Sequence, residues 1–301
     1  MTQTVLVLGP TGRFGRNAAL AFENAGWNVH RFDRKTDDLD TEARGVQVIV
    51  NGWHPPYSKW AAEALQMQPA IHRAALANDA TVIIPGNVYN FGETTPAPWS
   101  DTTPHLAQNS LGKIRIDLEQ GYRDAGVRTI VLRAGDYLDT SASGNWFDKI
   151  MAPSLKKGVF TFPGQPEIKR AYGFLPDVAR AAVALSEKRD AFPRLIHVPF
   201  PGFTLIAAQI AAHLANARGQ DVRIKQMAWW PLRLAWPFMA DIKFLFEMRY
   251  IWNTPHSLDG ARFHELLPEF KETPVEDALR QAAEFVPLPP RTERRAIPAV
   301  G

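Results

Sequence analysis

The chain opens on the run Thr4–Leu8, "TVLVL", in which no residue after the first carries a polar side chain and Val5 and Val7 are β-branched. Such a run is expected of a parallel strand covered on both faces. Glycines end it. The following "RFGRNAALAFENAG" sets Phe14, Ala18, Leu20, Ala21 and Ala25 at helical spacing, with Gly26 as its expected stop. A second strand is expected in "WNVHRFD", and further apolar runs follow at "VQVIVN", "ATVIIPG", "RTIVLRAG" and "RLIHVPF". Between them, helical patterns cover 59–78, 109–125 and 176–188. Strand and helix alternating in this way predict an α/β fold with a doubly wound parallel sheet. Only "RKTDDLDTEARG" separates the second strand from "VQVIVN", too little for a strand and a helix, so the sheet is expected to be trimmed at that edge.

Past Pro199 the pattern changes. "FTLIAAQIAAHLANARG" reads as a helix with a glycine stop and "DVRIKQM" as a strand, whereas the stretch from Trp229 to Trp252 is crowded with aromatics. Pro231 and Pro237 break that stretch into short pieces, which argues for core or a lid over an apolar substrate rather than a membrane-surface helix. The expected boundaries are a nucleotide-binding domain over 1–200, with a substrate-side insertion at about 136–172, a small C-terminal substrate region over 201–290, and a flexible basic tail over 291–301.

Composition narrows the function classes. With 301 residues, 46% hydrophobic and 22% charged, the chain can bury a large core. The net charge of +3 is spread without like-charge blocks, so no nucleic-acid partner is expected. There is no cysteine, which removes disulfides, thiolate metal sites and a cysteine nucleophile, and fits a reducing cytoplasm. The eight histidines show neither H-x-x-x-H nor H-E-x-x-H spacing, so no metal is expected. Neither a signal peptide nor an apolar run of the ~18 residues a membrane span needs is visible, so a cytoplasmic location is expected.

Gly9, Gly12 and Gly15 fall at the junction of the first strand and first helix, in "GPTGRFG". There, backbone N–H groups and a helix N-terminus together stabilise an anion, and glycine lets a diphosphate approach. Thr11, Arg13 and Phe14 complete the loop. Asp33 ends the second strand, where an acid accepts hydrogen bonds from ribose hydroxyls, and this context makes the loop a dinucleotide site of Rossmann type. Arg34 and Lys35 beside Asp33 would suit a 2′-phosphate, so the cofactor stands as NAD or NADP.

These residues resemble the extended and atypical branches of the short-chain dehydrogenase/reductase superfamily, the NAD-dependent epimerase/dehydratase-like proteins. "GPTGRFG" is similar to their glycine loop, "VIIPGNVYNFG" to their strand ending in V-Y-G, "VRTIVLRAGDYLD" to the next strand and its turn, and "AYGFLPDVARAAVAL" to the segment returning to the sheet. The resemblance implies a Tyr-x-x-x-Lys pair at the start of the following helix and a serine at the preceding strand end. In "NSLGKIRIDLE", Lys113 matches the lysine while Asn109 stands where the tyrosine is expected, and the strand ends in Pro85, Gly86 and Asn87 instead of serine. An asparagine amide cannot protonate a carbonyl. Lys113 is therefore a cofactor-ribose ligand or, with a depressed pKa, the acid–base group itself, as the similar stretch of isoflavone-reductase-like relatives suggests. Tyr89 is an alternative proton donor.

The resemblance also places Asn51, Gly52, Trp53, Gly86 and Gly135 against the cofactor, with Asn87, Asp136 and Tyr137 on the substrate side and Trp146 as an outer wall. His54, before two prolines, is either a proton shuttle or a structural ring. The implied activity is that of an NAD(P)-dependent oxidoreductase or epimerase/dehydratase-like enzyme on a small carbonyl or hydroxyl compound. The other reading is a non-catalytic NAD(P)-binding redox sensor or assembly factor. Homodimers through a helix pair are frequent in the family.

Overall fold

A computed structural model of the chain describes residues 2–235 and 241–287. The strands are β1 (Thr4–Leu8), β2 (Asn28–Phe32), β3 (Val48–Asn51), β4 (Thr81–Gly86), β5 (Thr129–Arg133), β6 (Asp136–Leu138), β7 (Val159–Phe162), β8 (Arg170–Phe174), β9 (Leu195–Pro199), β10 (Phe203–Leu205) and β11 (Arg223–Gln226). The helices are α1 (Arg13–Asn24), α2 (Leu39–Glu42), α3 (Gln68–Ala77), α4 (Ser110–Asp124), α5 (Leu175–Glu187), α6 (Ala207–Arg218), α7 (Trp230–Ala235), α8 (Asp241–Glu247), α9 (Ala261–Leu266) and α10 (Val275–Ala282).

Six strands form the parallel central sheet in the order β2-β1-β3-β4-β5-β9. The chain moves outward from β1 to β2 and then returns to the other side of β1, so the strand order reverses between β1 and β3. Ligands of open α/β sheets lie outside the strand C-termini at such a point. The β1 side chains from Val5 to Leu8 and those of Val48, Ile49 and Val50 are essentially inaccessible, as strands covered on both faces must be. One face carries α1 and α5 through Phe14, Ala18, Phe22, Val178 and Leu185. The other carries α3 and α4 through Ile71, Ala75, Leu118 and Tyr122. Each fully buried large side chain here contributes roughly 1.5–3 kcal/mol. As expected, the sheet stops at β2, because the segment before β3 forms only the single turn α2.

The segment 59–78 is not the single helix its apolar spacing predicts. Tyr57–Lys59 makes a 3-10 turn, Trp60–Ala64 a π turn, and only Gln68–Ala77 is α-helical, with Pro69 in its first turn. Proline lacks an N–H and suits a helix start, so Pro69 restarts the helix where the spacing alone runs through. The stretch read as one helix from Phe203 likewise begins as β10, antiparallel to β8. β7 pairs with β11, and β8 with β10 and β6, so the 136–172 segment shares its sheets with the chain beyond 200. A separate apolar cluster fills this lobe around Phe160, Phe162, Trp252 and Leu279. Pro237 and the tail 291–301 lie outside the described residues. No described helix is long and apolar enough to cross a membrane.

Candidate functional site

The glycine loop is built around three different needs. Gly9 has φ +69°, a backbone conformation that favours glycine. A Cβ on Gly15 would stand 2.1 Å from the carbonyl oxygen of Gly9, so this glycine is required by the packing of α1 against the strand end. Gly12 differs: its φ is −74°, and a Cβ there would meet nothing nearer than 3.2 Å. Gly12 is the N-cap of α1, no side chain caps that helix, and its first turn holds no acid. The amides of Arg13, Phe14 and Gly15 therefore present an uncompensated positive helix end. The Phe14 side chain itself is core, 4% exposed, so only its amide is available to a ligand. Thr11 is exposed at the loop tip. The Arg13 guanidinium crosses to the carbonyls of Ser143 and Gly144 at 3.1 and 2.9 Å, and Arg16 pairs with Asp139 at 2.8 Å. The loop after β6 is thus strapped to the start of α1.

Around the ends of β2 and β3, Asp33 is exposed and its Oδ1 accepts the Lys35 N–H at 3.0 Å, which ties it to its own turn. Arg34 lies 4.9 Å from the Trp53 ring centroid in a cation–π contact. Gly52 backs directly onto Gly15, and Asn51 donates to the Tyr122 hydroxyl at 3.1 Å while its Oδ1 accepts the Trp53 N–H. Gly9, Gly12, Gly15, Gly52, Trp53 and Arg34 are therefore one neighbourhood.

On α4 the structure departs from the sequence reading. Asn109 is the N-cap: its Oδ1 accepts the Gly112 N–H at 2.6 Å and its amide donates to the Tyr250 hydroxyl at 3.1 Å. Lys113 is exposed. The inward positions belong to Leu111, which is fully buried, and to Arg115, whose guanidinium donates to the carbonyl of Pro85 at 2.8 Å. The helical period decides this. Residues 111, 115, 118, 119 and 122 share the buried face, and 113 falls opposite.

Below Arg115 lies a buried charge network. Glu119 receives Arg133 at 2.6 Å and Asn90 at 2.9 Å on one oxygen, while Arg115 stands 3.6 Å from the other. Burial alone would raise the Glu119 pKa, but Arg133 and then Arg115 hold it down to about 2. His197 and His105 complete the cluster, and burial followed by the Arg133 charge pushes both imidazoles down to about 4. The ligand atoms of His105, Glu119 and His197 lie within 4.8 Å of one another. Two guanidiniums against one carboxylate nevertheless leave the cluster net positive, which opposes a bound cation.

Acid sensitivity follows. Each histidine titrates near 6.5 when unfolded and near 4 when folded, so its contribution is complete above pH 6.5 and is lost as pH falls to about 4. Glu119 adds a loss between 4.5 and about 2. Urea titrations should show stability falling by on the order of 3 kcal/mol between pH 6.5 and 4, with the slope reduced in His197→Asn. An unchanged urea midpoint across that range would refute the buried neutral state of these rings.

At the ends of β3 and β4, the Tyr57 and Tyr89 hydroxyls are hydrogen-bonded to each other at 2.8 Å. The exposed His54 sits with its ring edge-on to Trp60 and Tyr57 at centroid distances of 4.9 and 5.8 Å. Asn87 accepts the Tyr89 N–H at 3.1 Å, and its carbonyl accepts Arg133. Asp136 is held by the buried Arg170, which stacks 3.5 Å from the Trp252 ring. Tyr137 is half-buried, and burial raises its phenol to about 12. Gly86 and Gly135 answer to packing: a Cβ on Gly86 would meet the Arg133 Cα at 3.0 Å, and one on Gly135 would meet the Ala171 carbonyl oxygen at 2.1 Å. Trp146 packs edge-on against Trp252 at 5.0 Å and tilted against Trp229 at 6.1 Å, a wall of the C-terminal lobe. In that lobe a cavity of about 370 Å³ is lined by Met227, Trp229, Trp230, Arg233, Arg249 and Asn253 among others. Arg249 lies over the Trp229 ring at 5.1 Å, and among the described residues neither arginine has a carboxylate partner.

No protein-family model matches the sequence, and no curated protein matches it. Solved structures do match in fold. A UDP-N-acetylglucosamine 4-epimerase from Bacillus cereus superposes with a TM-score of 0.70 at 14% identity, over 100% of this chain and 99% of that one. The NAD-dependent NDP-hexosamine 5,6-dehydratase TunA of tunicamycin biosynthesis gives 0.71 at 15%, over 94% and 97%. MoeE5 in complex with UDP-glucose and NAD gives 0.70 at 12%, over 94% and 98%. The chain shares the Rossmann-type α/β fold of these enzymes. Tyr57, Leu111, Arg115, Glu119 and Arg170 do not stand out in the sequence by themselves. The i, i+4 spacings of 111 with 115 and of 115 with 119 were the available signal.

Proposed function

We propose that the chain binds a nicotinamide dinucleotide across the C-terminal edge of β1 and β3. On this reading it acts as an NAD(P)-dependent oxidoreductase or epimerase-like enzyme. The supporting observation is the uncapped N-terminus of α1, where Gly12 has a φ open to any residue and a Cβ would meet only the Gly9 carbonyl oxygen closely, at 3.2 Å. The amides of residues 13–15 hold the diphosphate, Asp33 and Arg34 flank the adenosine ribose, and Arg115 meets the nicotinamide end where Leu111 and Arg115 occupy the Tyr-x-x-x-Lys register. A bound nicotinamide supplies or accepts hydride.

The substrate, on this reading, is a carbonyl or hydroxyl compound carried on a nucleoside diphosphate. The unpaired Arg233 and Arg249 beside the Trp229 and Trp230 rings suit a planar base with an attached anion, and the fold neighbours include structures with UDP-glucose and UDP-glucuronic acid. Calorimetry with NAD+, NADH, NADP+ and NADPH tests the cofactor reading. At least one should bind with a micromolar or tighter Kd, and no heat with any of the four would refute it.

One observation favours a second reading, a non-catalytic dinucleotide sensor: Leu111 and Arg115 leave the first two turns of α4 with neither a phenol nor an amine facing the sheet. A sensor binds the oxidised and reduced forms with different affinity and consumes neither.

A further inference from the structure

No phenol stands at the start of α4, but Tyr57 and Tyr89 form a hydroxyl pair nearby. Tyr89 follows β4 and Tyr57 follows β3, so the loops that carry them leave the sheet at the edge where the dinucleotide reading places its ligand. Both rings pack against the same apolar cluster as Leu111. The carbonyl of Tyr89 lies where a Cβ on Gly112 would be 2.7 Å away, which fixes the Tyr89 backbone against the first turn of α4. A tilted ring contact with Trp60 and the 2.8 Å bond between the hydroxyls fix the Tyr89 side chain. Among the described residues, the polar partner of each hydroxyl is the other. One proton serves that bond, and the second hydroxyl proton is left to donate elsewhere.

We propose that Tyr89 is the proton donor to a substrate carbonyl oxygen, reloaded through Tyr57. This rests on the dinucleotide reading above. As hydride reaches the carbonyl carbon from a reduced nicotinamide, the oxygen takes the proton of Tyr89 Oη. Tyr89 Oη takes the Tyr57 proton across the 2.8 Å bond, and Tyr57 takes one from water, so the carbonyl gains one hydride and one proton and becomes an alcohol. Both tyrosines are half-buried, and the Tyr57 ring lies edge-on to the exposed His54 at 5.8 Å. Burial raises both phenols above their ordinary value, Tyr89 the more strongly, so the pair stays protonated at neutral pH. A raised pKa makes each phenol a weaker acid than a free tyrosine, so transfer from Tyr89 is driven by the developing alkoxide, the stronger base.

The experiment uses the full chain with NADH or NADPH and two carbonyl probes, a uridine-diphosphate 4-ketohexose and 4-nitrobenzaldehyde. Tyr89→Phe should lower kcat about 100-fold or more and Tyr57→Phe about 10-fold, with cofactor Kd unchanged within about 2-fold for both. A second readout needs no turnover: in protein labelled at tyrosine 13Cζ, Tyr57→Phe should shift the Tyr89 resonance, the signature of a lost hydroxyl partner. Cofactor binding with no turnover of either probe, or turnover indifferent to Tyr89→Phe, or a Tyr89 resonance unmoved by Tyr57→Phe, each overturns the donor assignment. Absence of cofactor binding instead overturns the dinucleotide reading itself, so the two failures are distinguishable.

Discussion

Gly12→Ala and Gly15→Ala are expected to fail in opposite ways. Gly15→Ala puts a methyl 2.1 Å from the Gly9 carbonyl oxygen and 2.8 Å from its carbon, both backbone atoms that no side-chain rotation can move. Gly9 has no easy retreat, because a Cβ-sized displacement on its other side meets Gly52 and Trp53 at 3.1–3.2 Å. α1 must lift from the sheet, and the buried Phe14, Ala18 and Phe22 contacts loosen with it. The expected loss is about 3 kcal/mol or more, seen as a fall in Tm of roughly 5–10 °C. Gly12→Ala meets only a 3.2 Å contact at an allowed φ, so stability should drop by about 1 kcal/mol or less, the ordinary cost of alanine at an N-cap. Its dinucleotide affinity should nonetheless fall about 10-fold or more if the diphosphate sits on this helix end, because the methyl adds bulk at the N-cap between the Gly9 and Gly52 carbonyls. Thermal melts and calorimetry on the two variants decide this. Equal affinity in Gly12→Ala and the unaltered protein would remove the loop from the binding site.

Glu119→Gln carries the other large effect. The carboxylate is 3% exposed and faces Arg133, 1% exposed, with Arg115 on its far side. The amide keeps the volume and part of the hydrogen bonding but deletes the negative charge, leaving two buried guanidiniums without a counter-ion. Breaking such a pair from one side costs about 3–5 kcal/mol, because the surviving charge stays desolvated. Tm should fall by roughly 5–15 °C. Arg133 also holds the Asn87 carbonyl and the Asn90 side chain, so the turn that carries Tyr89 should loosen as well, visible as faster amide exchange over residues 87–90. Full stability in Glu119→Gln would mean that the network is solvated in solution.

The sequence by itself determined the sheet and the glycine turn at its first strand end. Runs such as "TVLVL" and "VIVN" have no polar face to turn toward water, so they had to be interior strands, and the glycines after the first run fix a strand–loop–helix junction through local backbone sterics alone. The break at Pro55, Pro56 and Pro69 was legible as punctuation, yet the apolar spacing across it favoured one helix, and only the packing of Trp60 settled a π turn there. The tertiary structure alone decided which face of α4 meets the sheet. Asn109 and Lys113 satisfy the same four-residue spacing as Leu111 and Arg115, and the choice between them depends on a rotation of the helix about its axis, set by Leu118, Glu119 and Tyr122 fitting against β4 and β5. Tyr57 and Tyr89 are 32 residues apart, with a helix and a strand between them, and no local rule brings their hydroxyls together. Spacing fixes which residues share a face; which face is buried is a property of everything packed against it.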